Sequence, residues 1–125
     1  MSKRLLEKNY NCHFELTLDI IGGKWKPIIM YYIGEKKVLR YGELKKCIPS
    51  INERMLTRQL RELEEDKLIN REVYREVPPR VEYSLTEVGQ TVIPVLNSLR
   101  NWGLTYNDIY KVVNIEKGLK ACEEE

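Results

Sequence analysis

The chain has 125 residues, of which 42% are hydrophobic and 32% are charged. This composition is typical of one folded domain and excludes a disordered chain. Its apolar stretches, such as residues 28–33, are too short to cross a bilayer, and no signal-peptide core follows Met1. We therefore expect a single domain over residues 1–125, located in the cytoplasm and without a membrane partner.

The positive charge is concentrated in one part of the chain. The formal net charge is only +2, yet residues 36–61 contain eight basic residues and two acidic ones, a local charge of +6. A basic band on a near-neutral domain is typical of a protein that binds a polyanion. From charge alone, a solvated surface explains the band equally well.

Three cysteines, Cys12, Cys47 and Cys122, are far apart, and His13 is the single histidine. Because neither a CxxC nor an HxxxH spacing occurs, we expect no metal site, and nothing in the sequence indicates a cofactor. An odd number of cysteines in a reducing compartment predicts free thiols, with any disulfide conditional or formed between chains.

The first half of the chain contains two predicted helices before the basic band. One helix covers about residues 15–21 and is stopped by Gly22-Gly23. A second covers residues 26–33, with Pro27 in its first turn and Gly34 at its end. Trp25 lies at the junction, and we expect it to pack between the two helices.

A helix-turn-helix is predicted over about residues 40–66. A short helix over residues 40–48 ends at Pro49, and Asn52 is a good N-cap for a second helix that runs to about Asp66. Helical periodicity places Leu56, Leu60 and Leu63 on one buried stripe. The opposite stripe carries Arg54, Thr57, Arg58 and Arg61. A second helix that is apolar inside and arginine-rich outside is typical of DNA-binding helix-turn-helix domains.

A β-hairpin and a long helix follow. Residues 69–74 and 81–85 are β-rich, and Pro78-Pro79 lies in the loop between them, flanked by Arg75 and Arg80. This hairpin, about residues 69–85, is a predicted wing. Thr86 then caps a helical segment over about residues 86–112, which Pro94 should bend or interrupt. The predicted fold class is mainly α with a small β-hairpin (α+β).

Several ordered blocks resemble one known family. They are Gly22-Gly23-Lys24-Trp25, residues 52–63, residues 77–86, Gly89 and Trp102-Gly103. From about Cys12 to Trp102 the chain resembles the HxlR-type winged helix-turn-helix regulators, which are distantly similar to the MarR family. The resemblance implies transcriptional control by a homodimer. Its terminal helices would hold the subunits together, and its two recognition helices would enter successive major grooves of a pseudo-palindromic operator.

Within that framework we assign expected roles. The N-terminal half of the second helix should face bases through Asn52, Arg54, Thr57 and Arg58, while Arg61 should meet phosphate. At the wing, Arg75 and Arg80 either contact the DNA backbone or minor groove or keep the loop soluble. Phosphate contacts are expected for Lys36, Lys37 and Arg40. The expected dimer contacts are Leu96, Leu99, Trp102 and Tyr106, although Trp102 and Tyr106 also fit a monomer core.

Cys12 is a candidate redox or electrophile sensor. In some members of the family a cysteine just before the first helix senses oxidants, and Cys12 holds that place, followed by His13 where a proline is usual. An inert or partly buried thiol remains the alternative. Cys47 is expected in the core, and Cys122 is a candidate for an adventitious or resolving bridge. No small-molecule effector can be identified.

An enzyme is not predicted, because the sequence shows neither a Ser/His/Asp set nor a Gly-rich phosphate loop. The remaining alternative is a winged-helix module that docks other proteins without binding DNA. Such a surface would favour exposed aromatic side chains where this chain has Arg54, Arg58 and Arg61.

Overall fold

The computed structural model describes residues 3–113. In chain order the elements are α1 (Lys3–Leu6), α2 (His13–Ile21), α3 (Trp25–Lys36), β1 (Leu39–Arg40), α4 (Tyr41–Cys47), α5 (Glu53–Glu65), β2 (Ile69–Tyr74), β3 (Arg80–Leu85), α6 (Glu87–Gln90) and α7 (Ile93–Tyr110). The predicted fold class is confirmed, since helices dominate and the strands form one small antiparallel sheet. A membrane crossing requires a helix that is both long and apolar, and none of the helices in this range combines the two.

Helix α3 is the centre of the core. Its Ile29, Met30 and Ile33 are completely buried, and they belong to one cluster with Leu44 of α4 and Leu56 of α5. Trp25, at the start of α3, packs against the same cluster. The second helix of the helix-turn-helix is therefore held on a rigid support, which fixes the direction of its outer face.

The predicted end of α3 at Gly34 is wrong, because the helix continues to Lys36. The turn to positive φ that ends it occurs at Lys37, with φ of 72°. Gly34 serves close packing instead, since a Cβ at this position would overlap the Cδ1 methyl of Ile93 on α7. A glycine that stops a helix and one that admits a neighbouring helix look the same in the sequence.

The wing is a hairpin of β2 and β3, paired from Ile69 opposite Leu85 to Tyr74 opposite Arg80. A third strand, β1, was not predicted from the sequence; its Leu39 lies opposite Tyr83 of β3. Two residues are too few for an alternating pattern to appear, so this strand left no periodic signal. The strand order β1-β3-β2 ties the wing to the start of α4.

The segment after the wing is divided between two helices. Thr86 Oγ1 accepts a hydrogen bond from the Gly89 N–H at 2.9 Å and donates to the Lys67 carbonyl at 2.7 Å, so the predicted cap is confirmed. Helix α6 ends at Gln90 and α7 begins at Ile93, which puts Pro94 in the first turn of α7. The expected interruption thus lies just before the proline, where its missing N–H costs nothing.

Candidate nucleic-acid interface

Helix α5 presents a basic outer face. Asn52 Oδ1 caps the helix by accepting the Met55 N–H at 2.8 Å, and Leu56, Leu60 and Leu63 are buried on its inner face. The opposite face is exposed, as the periodicity predicted, and carries Arg54, Thr57, Arg58 and Arg61. The capping residue Asn52 is also exposed at the start of this face.

An open cleft of about 610 Å³ lies along this face. Tyr41, the first residue of α4, lines it together with Glu53, Arg54, Thr57, Arg58 and Arg61 of α5. Three guanidinium groups in one open cleft can accept the phosphates or the acceptor-rich base edges of a nucleic acid.

Tyr41 contributes to this face in a way that the sequence did not reveal. Helical spacing puts Tyr41 on the same face of α4 as buried Leu44, and its half-buried ring packs on the core. The phenol, however, reaches across to α5, where it donates to the Glu53 carbonyl at 3.0 Å and lies 3.1 Å from Thr57 Oγ1. Helical periodicity indicates which face of α4 the Tyr41 ring lies on, but it does not indicate which residues of another helix the phenol oxygen contacts.

Glu62 connects Arg58 to the interior. Glu62 Oε1 lies 2.5 Å from Nζ of Lys26, whose side chain is only 7% exposed, and Oε2 accepts a hydrogen bond from Arg58 Nε at 3.4 Å. Burial by itself raises the pKa of Glu62, but the hydrogen bond and charge of Lys26, with help from Arg58, outweigh it, so the pKa lies below its usual value. At neutral pH Glu62 is therefore a carboxylate that restrains Arg58.

The far end of α5 is fastened by the N-terminal segment. Asp66, whose side chain is 1% exposed, pairs with Arg4 Nη2 at 2.5 Å, and Arg4 also donates to the Asp19 carbonyl at 3.0 Å. The Asp19 carboxylate accepts from Tyr10 at 2.7 Å and from Lys8 at 3.1 Å, and these hydrogen bonds lower its pKa. Residues 4–10 therefore join α2 to the end of α5.

The two wing arginines have different surroundings. Arg75 is exposed in the loop. The Arg80 guanidinium lies over the Tyr74 ring at 4.1 Å and within 3.5 Å of carboxylate oxygens of Glu76 and Glu82. Much of the charge of Arg80 is thus balanced inside the wing.

The other expected phosphate-binding residues lie between α3 and α4. Lys36 is half-buried at the end of α3, Lys37 is exposed, and Arg40 is exposed in β1. The Arg40 N–H donates to Glu43 Oε1 at 2.8 Å, which fixes the backbone where α4 begins.

The cysteines occupy different environments. Cys12 is an exposed free thiol at the residue preceding α2. Cys47 is buried in the core, as predicted, and Cys122 lies outside the described residues. Within residues 3–113, three or more potential ligands from His, Cys, Asp and Glu never come together as a metal site would require.

Helix α7 has an exposed apolar side. Leu99 is 56% exposed, Trp102 67% and Tyr106 44%, and the Trp102 and Tyr106 rings lie with their centroids 5.5 Å apart and their planes tilted by 35°. Leu96, in contrast, is 3% exposed and belongs to the core of its own chain. It also lines a groove of about 1010 Å³ between α3 and α7, whose other walls include Tyr31.

A helical pair with a basic second helix, followed directly by a two-stranded hairpin, defines a winged helix-turn-helix protein. The family model described as HxlR-like helix-turn-helix matches residues 20–110, and the chain belongs to this family. The resemblance stated from the sequence is thereby confirmed.

Relatives agree with this assignment. The HTH-type transcriptional regulator YdeP of Bacillus subtilis (strain 168) is 52% identical over 110 residues, which cover 88% of this chain and 84% of YdeP. The redox regulator HypR in its reduced form superposes with a TM-score of 0.75 at 47% identity, covering 82% of this chain and all of HypR. Its oxidised form gives a TM-score of 0.72 at 51% identity, covering 75% and 96%. The chain is a transcriptional regulator of the helix-turn-helix type and not an enzyme.

Proposed function

We propose that the protein binds double-stranded DNA sequence-specifically, as a homodimer on a pseudo-palindromic operator. The observation that carries this proposal is the exposed arginine face of α5, beside a wing and on a rigid support. Arginine forks match guanine O6 and N7 in the major groove, so Arg54 and Arg58 are assigned to bases and Arg61 to phosphate. Three guanidinium groups that line one cleft favour a polyanion over the alternative of a protein-docking module, because the centre of a docking interface is depleted of charged residues.

We assign further DNA contacts to polar and basic residues around the arginine face of α5. We assign Lys37 and Arg40 to phosphates, with Lys36 beside them, because they lie where the chain enters α4. On the wing, Arg75 is the more available cation, whereas Arg80 would have to leave Glu76 and Glu82 to contact DNA with its full charge. Asn52 keeps its amide N–H groups for DNA while its oxygen caps α5.

Dimerisation is proposed through α7. Exposed apolar side chains on one helix form a surface that a soluble protein normally covers, and two-fold symmetry would bring two α7 helices together. Leu99, Trp102 and Tyr106 would form the seam, with Leu96 beneath it in the wall of the groove. Two recognition helices related by a dyad explain why a palindromic site is expected.

The decisive experiment selects DNA from a randomised library and compares affinities for the selected site and for random DNA. Arg58→Ala should weaken binding to the selected site by about 5- to 150-fold, the value of one good bidentate base contact, and weaken random-DNA binding far less. Lys111→Ala, which removes an equal charge after the end of α7, is the matched control. Equal losses on both DNAs would refute base contact by Arg58.

We further propose that Cys12 makes the protein responsive to oxidants. Cys12 is an exposed thiol at the start of α2, next to the segment that fastens α2 to the end of α5. Two thiols, one from each subunit, would give two electrons and two protons to a diazene such as diamide. They would then form one S–S bond, while the diazene becomes the hydrazine. The similarity to a redox regulator with solved reduced and oxidised forms supports this proposal.

Operator binding before and after diamide tests the thiol proposal. We expect the wild type to change its affinity and to regain it with dithiothreitol, and Cys12→Ser to show no response. Cys122→Ser identifies the second thiol. A normal diamide response in this variant would mean that Cys12 of the other subunit supplies it, and a lost response would mean that Cys122 does. A normal diamide response in Cys12→Ser would exclude Cys12 as the sensor.

A further inference from the structure

The hydrogen bonds around Tyr41 limit what Thr57 can offer to DNA. The phenol oxygen of Tyr41 lies 3.0 Å from the Glu53 carbonyl oxygen and 3.1 Å from Thr57 Oγ1. A carbonyl can only accept, so the single phenolic hydrogen must point to Glu53. In the second contact the Tyr41 oxygen is then the acceptor, and the donor is the Thr57 hydroxyl.

This arrangement uses the single hydroxyl hydrogen of Thr57. A threonine in a helix commonly donates to the carbonyl four residues earlier, which here belongs to Glu53, but the phenol already donates to that carbonyl. With its hydrogen committed to Tyr41, exposed Thr57 keeps an acceptor oxygen and an apolar methyl group. Its χ1 angle is fixed by the same contact, so the methyl group is presented in one orientation.

These two groups match one kind of base pair. In the major groove an adenine–thymine pair offers both the N6 amino donor of adenine and the C5 methyl of thymine. A guanine–cytosine pair offers the N4 amino donor of cytosine and the guanine acceptors O6 and N7, but no methyl group. An acceptor oxygen is repelled by guanine and can accept from either amino group, whereas the methyl group of Thr57 gains contact only with the thymine methyl, so an adenine–thymine pair alone satisfies both groups. Thr57 also lies in the arginine-lined cleft, between Arg54 and Arg58 along α5.

We propose that Thr57 selects an adenine–thymine pair in each half-site and that Tyr41 is the positioning residue that gives Thr57 this preference. The proposal rests on the proposed function, since it requires α5 to enter the major groove. It divides the α5 face into arginines that favour guanine and a threonine that disfavours it.

The first arm of the test locates the base pair. Libraries are selected with wild type and with Thr57→Ala, and the position at which the variant loses its preference is the one that Thr57 contacts. We expect adenine–thymine there in the wild type, and a guanine–cytosine preference would overturn the proposal. Failure of the wild type to select any sequence would instead refute the proposed function, so the two failures are distinguishable.

The second arm changes the DNA and leaves the protein intact. Replacing that thymine by deoxyuridine removes only the C5 methyl and should weaken binding about fourfold, the value of one buried methyl-sized group. A cytosine–guanine pair at the position should bind more weakly still, and 5-methylcytosine should recover part of the loss. Equal binding of thymine and deoxyuridine sites would refute the methyl contact.

The third arm releases Thr57 with Tyr41→Phe, which keeps the packed ring and removes the phenol. The freed hydroxyl can then rotate and donate, so guanine should become tolerated at this position while the preferences at the arginine positions stay unchanged. Tyr10→Phe, which also removes a hydrogen-bonded phenol but from the N-terminal segment, is the control. An unaltered preference in Tyr41→Phe, or a uniform loss at all positions, would reject a positioning role.

Discussion

At the scale of single side chains, Glu62 links the basic face of α5 to the core. It neutralises buried Lys26 and holds Arg58, so one carboxylate serves both the packing of α5 on α3 and the orientation of a residue that we propose contacts bases. Arg58 lies on the outer face of α5, as predicted from the sequence, but the sequence gives no sign that Glu62 is its partner. An acidic residue four positions after an arginine is common on solvated helices. Only the fold shows that Lys26 of α3 reaches the same carboxylate from the core side of α5.

Glu62→Gln should therefore destabilise the protein in a pH-dependent way. The pKa of Glu62 is lowered in the folded state, so the carboxylate contributes stability above its unfolded pKa of about 4.3, and this contribution is lost as the pH falls through the folded value. At pH 7 we expect Glu62→Gln to reduce the free energy of unfolding by about 1–3 kcal/mol, because buried Lys26 loses its counter-charge.

Urea unfolding of the wild type and of Glu62→Gln at pH 7 and at pH 3 measures this effect. The difference between the two proteins should shrink at pH 3, because the wild-type carboxyl takes up protons as the pH falls toward its lowered folded-state pKa. Glu64→Gln, the same change on the exposed side of α5, is the matched control. If the difference in the free energy of unfolding were equal at both pH values, the destabilisation would come from the altered packing of the side chain and not from the loss of its charge.

Among the helices and strands, the junctions were harder to predict than the elements. The apolar and basic stripes of α5 and the two wing strands were predicted almost to the residue, because strong periodicity and capping signals define them. The end of α3 and the strand β1 were not, because both depend on contacts between distant parts of the chain. Gly34 faces Ile93, and Leu39 pairs with Tyr83.

The junction between the wing and α6 provides a prediction of its own. A Cβ at Gly89 would overlap the Leu68 carbonyl oxygen, which is backbone and also accepts the Thr86 N–H, so it cannot move freely. Gly89→Ala should lower the free energy of unfolding by about 1–3 kcal/mol. Gly42→Ala in α4, where the added Cβ meets nothing within 4 Å, should raise it by up to about 1 kcal/mol.

Chemical denaturation of the two alanine variants checks this contrast directly. The two substitutions are chemically identical, so any difference between them comes from the local surroundings of the glycine. Equal stability changes would mean that the close approach of Gly89 to Leu68 is relaxed at no cost.

For the assembled protein, the sequence and the structure contribute different information. Periodicity predicted that Leu99, Trp102 and Tyr106 share an apolar stripe but left a monomer core and a dimer seam open. These side chains are exposed in the single chain, which favours the interpretation as a dimer seam. Leu96 on the same helix is instead buried in the core of its own chain. How two copies meet depends on a second chain, and patterns within one chain do not describe it.

Trp102→Glu should separate the subunits. Two carboxylates introduced across a two-fold seam would be desolvated without a partner, so the variant should sediment as a monomer at micromolar concentration while the wild type sediments as a dimer. Val73→Glu, which puts the same charge on a half-exposed position of β2, is the control and should leave the dimer intact. A wild-type monomer, or an intact Trp102→Glu dimer, would contradict the proposed seam.

The buried amine of Lys26 also offers a natural probe of motion. Acylating reagents modify lysines that solvent reaches, so exposed Lys24 should be labelled quickly and Lys26, only two residues away, slowly. Lys26 can react only when α3 and α5 separate enough to release it from Glu62. The ratio of the two labelling rates, measured by mass spectrometry, would therefore report how often α5 separates from α3, without any change to the sequence.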